Sequence, residues 1–73
     1  MQELIEFIVH GLVDNKESVS VELDGDTVKI TAAKNDIGKI IGKQGRTAKA
    51  IRTIVKAVGA REGKKYTVDI VEI

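Results

Sequence analysis

The chain has 73 residues, two aromatic side chains, no cysteine and a net charge of +1. This length holds one domain with a small core, and no disulfide can reinforce that core. No apolar run approaches the roughly 20 residues that cross a bilayer, and the acidic start lacks the basic residues of a secretory signal. We therefore expect a single cytoplasmic domain over residues 1–73.

The small net charge hides an uneven distribution of charge along the chain. Residues 34–56 carry seven cations and one acid, a local charge of +6, whereas residues 1–33 carry two cations and seven acids, a local charge of −5. Such an asymmetry favours a charged partner, and an ordinary solvated helix face is the alternative.

The N-terminal half predicts a helix followed by a β-hairpin. Apolar residues recur at helical spacing over residues 2–14, with Phe7 outside the apolar stripe and the helix end near Gly11 or Asn15. Two alternating runs follow, over residues 19–23 and 28–32, joined by the turn Asp24-Gly25-Asp26. The alternation indicates a sheet with one covered and one solvated face.

The central third predicts two helices separated by glycines. The first opens at Asn35 or Asp36, both good N-caps, has Ile37, Ile40 and Ile41 on its apolar side, and ends at Gly42. The second starts near Thr47 and ends at Gly59, its expected C-cap. Its apolar and basic residues fall on opposite sides, with Ala48, Ile51, Ile54, Val55 and Val58 toward the core and Arg46, Lys49, Arg52 and Lys56 away from it.

Alternation from Tyr66 to Val71 predicts a final strand, so the element order is α-β-β-α-α-β. A two-helix crossover suits parallel neighbours, and the hairpin strands are antiparallel. We expect a two-layer α+β domain with a three-stranded mixed sheet, the second strand in the middle and three helices on one face.

The stretch Gly42-Lys43-Gln44-Gly45 is the most informative part of the chain. Glycines let another chain approach the backbone closely. Lys43, a cation between the two glycines, indicates that the approaching chain is anionic, and a phosphodiester backbone is the obvious candidate. The nucleotide P-loop fails, because only three residues separate Gly38 from Gly42 where four are needed, and Gln44 replaces the hydroxyl that holds Mg²⁺. The dinucleotide fingerprint fails because Ile40 stands where a glycine is needed.

The string Asp36–Arg52, DIGKIIGKQGRTAKAIR, resembles the small single-domain bacterial KH proteins of the KhpA type, and the element order is similar to the type II KH arrangement over the whole chain. The resemblance implies a Gly-x-x-Gly loop that clamps about four nucleotides of single-stranded RNA. It also implies self-association, pairing with a larger KH-containing RNA-binding protein, a role as RNA chaperone or post-transcriptional regulator, and a link to cell elongation and division.

We expect the RNA site to comprise the glycine loop and its flanks. Backbone amides at the start of the second helix would face a phosphate, cationic side chains would add charge, and Gly38 would leave room for a base unless it serves close helix packing. The expected site residues are Gly38, Gly42, Lys43, Gln44, Gly45, Arg46 and Lys49. Arg52 and Lys56 are left outside it as general sources of positive field.

Chemistry beyond binding is not indicated by the sequence. A single histidine, no cysteine and no convergent carboxylates predict no catalytic site, no metal and no cofactor. Two alternatives to RNA binding remain: a KH-fold scaffold for protein partners, and a DNA-binding helix-turn-helix variant, in which helices rather than strands usually flank the recognition helix.

Overall fold

The fold has three helices and three strands in the order α-β-β-α-α-β, in a computed structural model that describes all 73 residues. The elements are α1 (Gln2–His10), β1 (Ser20–Asp24), β2 (Thr27–Ala32), α2 (Lys34–Ile41), α3 (Arg46–Glu62) and β3 (Thr67–Glu72). The sheet order is β1-β2-β3, with β1 antiparallel and β3 parallel to the central β2. The predicted two-layer fold, with its helices on one face of a mixed sheet, is confirmed.

The register of the sheet separates a covered face from a solvated one. Ile30, in the central strand, pairs with Val21 and Ile70 and is fully buried under the helices. Its neighbour Lys29 is exposed on the other face, between an acid of β1 and an acid of β3. The alternation in the sequence therefore reports the two faces correctly.

The core lies between the sheet and the helices and is made mainly of branched aliphatic side chains. Burial of each contributes roughly 1.5–3 kcal/mol relative to exposure. The core cluster comprises Ile5, Val9, Val13, Val19, Val21, Val28, Ile30, Ala32, Ile40, Ile51, Val55 and Tyr66.

Of the two predicted ends of the first helix, Gly11 is confirmed and Asn15 is wrong. α1 ends at His10 with Gly11 as its C-cap, so it is shorter than the apolar pattern over residues 2–14, and the chain turns at Gly11 and Leu12. Leu4, expected on the apolar stripe, is exposed, and Phe7 projects into solvent as its position off the stripe predicted. The helix thus buries a narrow stripe, Ile5 and Val9.

The predicted cap of α2 is wrong. The N-cap is Ala33, two residues before Asn35 and three before Asp36, and it makes no side-chain cap hydrogen bond. Asp36 is instead fully buried and accepts hydrogen bonds from the backbone N–H groups of Asp14 (3.1 Å) and Asn15 (3.0 Å). Its carboxylate therefore ties the segment after α1 to α2, a role in tertiary structure that replaces the expected local one.

The predicted end of α3 is also wrong. The helix continues to Glu62 and is capped by Gly63, whose φ of 71° is left-handed. Gly59 lies inside the helix and is buried. A Cβ there would stand 2.7 Å from the Lys64 carbonyl oxygen and 3.0 Å from the Tyr66 ring, so the position has no room for a side chain. Gly59 therefore lets α3 pack against the segment that leads into β3.

Tyr66 precedes β3 instead of starting it, and its side chain is buried. Its hydroxyl donates to Glu62 Oε1 at 2.8 Å. This hydrogen bond, with burial, raises the pKa of Tyr66 above its ordinary value. The ring thus fixes the last turn of α3 against the start of β3.

Candidate nucleic-acid interface

The loop between α2 and α3 requires glycine at its first position for two reasons. Gly42 has φ 77° and ψ 172°, a region that is essentially restricted to glycine. A Cβ there would also stand 2.2 Å from Thr47 Oγ1, on the first turn of α3. The Gly42 N–H meanwhile donates to the Gly38 carbonyl at 2.8 Å and closes the end of α2. The glycine therefore sets the tight angle between the two helices.

The middle of the loop holds left-handed backbone. Gln44 (φ 58°) is the only non-glycine residue of the chain with a positive φ, and Gly45 follows at φ 74°. A side chain in this conformation costs roughly 1–2 kcal/mol, and such strain is found most often at functional sites. The Gly45 N–H donates to the Gly42 carbonyl at 3.1 Å, which fixes the turn. Lys43 and Gln44 are both exposed to solvent.

The N-terminus of α3 carries cations where most helices carry acids. The helix begins at Arg46 with no side-chain cap and no acidic residue in its first turn. The helix dipole places positive potential there, so Arg46 and Lys49 are electrostatically unfavourable in the free protein. A bound anion would offset this repulsion and accept hydrogen bonds from the first-turn amides.

The cations around the loop are not used in internal ion pairs. Both ion pairs in the structure belong to Lys39, which donates to Asp14 and lies 3.7 Å from Asp36 Oδ1. The hydrogen bond to Asp14 raises the pKa of Lys39 above its ordinary value. Lys39 is thus structural, whereas Lys43, Arg46 and Lys49 are exposed and unpaired.

Two positions on α2 extend the loop surface. Gly38 is exposed, with no atom within 4 Å of the place its Cβ would occupy. Close helix packing, one of its two expected explanations, is therefore wrong, and room for a base stays a prediction. Ile41 was expected on the core side of α2 but is 39% exposed. Placed directly before Gly42, it offers an apolar contact that the helical periodicity had assigned to the core.

The expected site residues lie in the last turn of α2, in the loop and at the start of α3. Gly38 lies one turn before the loop, and Lys49 lies one turn into α3.

No helix has the length and apolarity needed to cross a membrane. No three histidine or carboxylate side chains form a group able to ligate a metal.

A Gly-x-x-Gly loop joining two helices of an α-β-β-α-α-β fold defines a KH domain of type II. Within this class the chain belongs to the KhpA/KhpB family, because the sequence model of the family described as "KhpA/KhpB, KH domain" matches residues 2–70.

Relatives of nearly equal length support this membership. The chain is 50% identical to the RNA-binding protein KhpA of Listeria monocytogenes, over 99% of this chain and 100% of that protein. It is 48% identical to the RNA-binding protein KhpA of Clostridium perfringens, over 97% and 100% respectively. It is 46% identical to the RNA-binding protein KhpA of Chlamydia trachomatis, over 99% of this chain and 97% of that protein. A search of solved structures found no match.

Proposed function

We propose that this chain binds single-stranded RNA and holds its phosphodiester backbone at the loop Gly42–Gly45. The observation that carries the proposal is the uncapped N-terminus of α3, where unpaired cations stand beside a side-chain-poor turn. The relatives named RNA-binding protein KhpA support the choice of RNA as the anion.

Each residue of the site has a separate task in this proposal. Gly42 and Gly45 let the strand approach the backbone, because neither carries a Cβ. Lys43 and Arg46 neutralise the phosphate nearest the loop, and the Gln44 amide donates a neutral hydrogen bond. Lys49, one turn along α3, meets the next phosphate.

The bases are expected to lie along α2, where Gly38 leaves open space and Ile41 offers an apolar side chain. Neither position provides a pattern of donors and acceptors that distinguishes one base from another. We therefore expect modest affinity and weak sequence preference from one domain.

We further propose that the protein acts in the cytoplasm as an RNA chaperone or post-transcriptional regulator, with a link to cell elongation and division. The resemblance to KhpA-type proteins supports this role, and it also supports a larger KH-containing protein as partner. The shared family description, KhpA/KhpB, is in keeping with such a pair.

Pairing, as a homodimer or with that partner, is supported by exposed apolar side chains. Phe7 is 80% exposed and Ile73 is 71% exposed, and a small core gains from association. A second weak site then becomes effectively intramolecular, which raises avidity. Sedimentation equilibrium over a range of concentrations measures self-association, and a strictly monomeric wild type would leave only the partner.

The double variant Lys43→Asp, Gln44→Asp tests the RNA site. We expect loss of saturable binding to a fluorescently labelled single strand, because the new acids repel phosphate, while the melting temperature changes little because the loop is exposed. For the wild type, neutralisation of about three phosphates predicts a log–log salt slope near −2.

The matched control is Lys34→Asp, Asn35→Asp at the other end of α2. It alters another exposed lysine–amide pair and makes the same change in charge. Near-normal RNA binding by this control is expected. Equal weakening in both variants would mean that the general field, and not the loop, holds the RNA.

Two further results would favour the alternatives. A wild type that ignores RNA in dilute buffer would favour the protein scaffold. Stronger competition by duplex DNA than by single-stranded RNA would favour a helix-turn-helix mode of binding.

A further inference from the structure

A basic cavity of about 480 Å³ lies at the C-terminal end of α3, away from the loop. Its lining residues are Lys56, Ala60, Gly63, Lys64, Lys65 and Tyr66. A smaller cavity of about 180 Å³ shares Lys56 and Tyr66 and adds Arg52 from α3. The two cavities share lining residues and therefore adjoin in one groove between α3 and the start of β3, lined by cations, by the exposed Ala60 and by Tyr66, which is only 6% exposed.

The cations of this groove have no acidic partner. Both ion pairs of the chain belong to Lys39, so the ammonium groups of Lys56, Lys64 and Lys65 each lie more than 4.0 Å from any carboxylate oxygen. The nearest acid in sequence, Glu62, is engaged by the Tyr66 hydroxyl. Three lysines that line one cavity repel each other, and an anion between them would remove that repulsion.

The helix dipole explains only part of this arrangement. Cations near a helix C-terminus are favourable, but the effect is confined to about the last turn. It accounts for Lys64 and Lys65, which follow the end of α3 at Glu62. It does not account for Lys56, which lies more than one turn before that end and yet lines the same cavity.

An exposed basic stripe connects the cavity to the loop. Arg46, Lys49, Arg52 and Lys56 are all exposed on α3. At a rise of about 1.5 Å per residue, Lys56 lies roughly 15 Å along the helix from Arg46. No acid occurs in α3 between Arg46 and Arg61, so a strand held at the loop meets only cations and neutral side chains of this helix on the way to the cavity.

We propose that this groove is a second nucleotide-binding station for the RNA strand held at the loop, and this inference rests on the proposed function. Lys56, Lys64 and Lys65 bind a phosphate, and a base packs against the exposed Ala60, beside the buried Tyr66 ring, over which the Lys64 ammonium lies at 6.0 Å. The footprint of one domain is then longer than the roughly four nucleotides that a Gly-x-x-Gly loop clamps.

The test compares RNA strands of about four and about ten nucleotides on the wild type and on the triple variant Lys56→Gln, Lys64→Gln, Lys65→Gln. We expect the wild type to bind the longer strand at least about tenfold more tightly. The triple variant loses this advantage, and its salt slope on the longer strand becomes shallower by about 0.7, because one phosphate is no longer neutralised. The short strand reaches only the loop and reports on folding and on the loop site.

A control for general charge is Arg61→Gln, which removes one cation, against three in the triple variant, from the same end of α3 at a residue that does not line the cavity. It should lower the long-strand affinity by less than about twofold. The chain has one tyrosine, so the ring resonances of Tyr66 in NMR report directly on the cavity. They should shift with the longer strand and stay in place with the short one.

Three outcomes would overturn the second station: equal wild-type affinities for the two strands, equal losses in Arg61→Gln and the triple variant, or Tyr66 resonances that shift only with an acidic peptide. In each case short-strand binding, and with it the proposed function, can still stand. Failure of the wild type to bind either strand would instead remove the proposed function itself.

Discussion

Replacement of Gly38 by alanine should make the protein more stable and a poorer RNA binder. Glycine inside a helix is less favourable than alanine by about 0.5–1 kcal/mol. A Cβ at Gly38 meets no atom within 4 Å, and the backbone there is not left-handed. The full gain of roughly 0.5–1 kcal/mol is therefore expected, which is about 2–8 °C in the melting temperature of a domain of this size.

The same methyl group should weaken RNA binding, because it would fill space that we assign to a base beside the loop. A loss of at least about threefold in affinity, or roughly 0.7 kcal/mol, is expected. Chemical denaturation and fluorescence anisotropy with a labelled single strand give the two quantities on one preparation. A glycine that lowers stability and has no packing role is then explained by binding.

Two results would refute this reasoning in different ways. A less stable Gly38→Ala variant would mean that the site is not open in solution. A more stable variant with unchanged RNA affinity would place Gly38 outside the interface, and the glycine would have no assigned role. Only the combination of higher stability and weaker binding supports the assignment.

The opposite sign is expected for Gly59→Ala, because its Cβ would stand 2.7 Å from the Lys64 carbonyl oxygen. Overpacking of about 1–3 kcal/mol outweighs the gain in helix propensity, so chemical denaturation should show a net loss, and a gain would contradict the packing role. A third prediction concerns Asp36, whose pKa the backbone N–H groups of Asn15 and Asp14 hold below its ordinary value of 3.8, against the opposing effect of burial. Since the folded-state pKa is the lower one, the carboxylate stabilises the fold fully above about pH 4 and loses this contribution as pH falls through the folded-state pKa. Asp36→Asn should thus lower the melting temperature at pH 7, and the difference from wild type should shrink in acid; a constant difference down to about pH 2 would contradict this role.

Local chemistry in the sequence was sufficient to predict most of the architecture. The turn Asp24-Gly25-Asp26 sets the hairpin, and Gly25 indeed has a positive φ of 60°. Alternation of apolar residues placed the strands, and the two-helix crossover implied the parallel pair. The loop was located for the same reason, since Gly42 and Gly45 end one helix and precede the next within four residues.

Long-range contacts explain what the sequence did not predict. Asp36 looks like a helix cap, and only the fold brings it to amides that lie 21 and 22 residues away. Gly59 looks like a helix end, and only the position of the Lys64 carbonyl shows that it is a packing site. The same holds for the basic groove. In the sequence Lys64 belongs to the turn before β3, and only the fold shows that it lines the same cavity as Lys56.

The buried carboxylate of Asp36 also limits how small a working RNA binder can be made from this chain. Its two donors lie just beyond α1, while Asp36 itself belongs to the helix that ends at the loop. A peptide cut to α2, the loop and α3 would lack both donors and the sheet beneath, so the two helices would no longer be fixed at one angle. Grafting the glycine turn onto another scaffold therefore requires a substitute for this anchor.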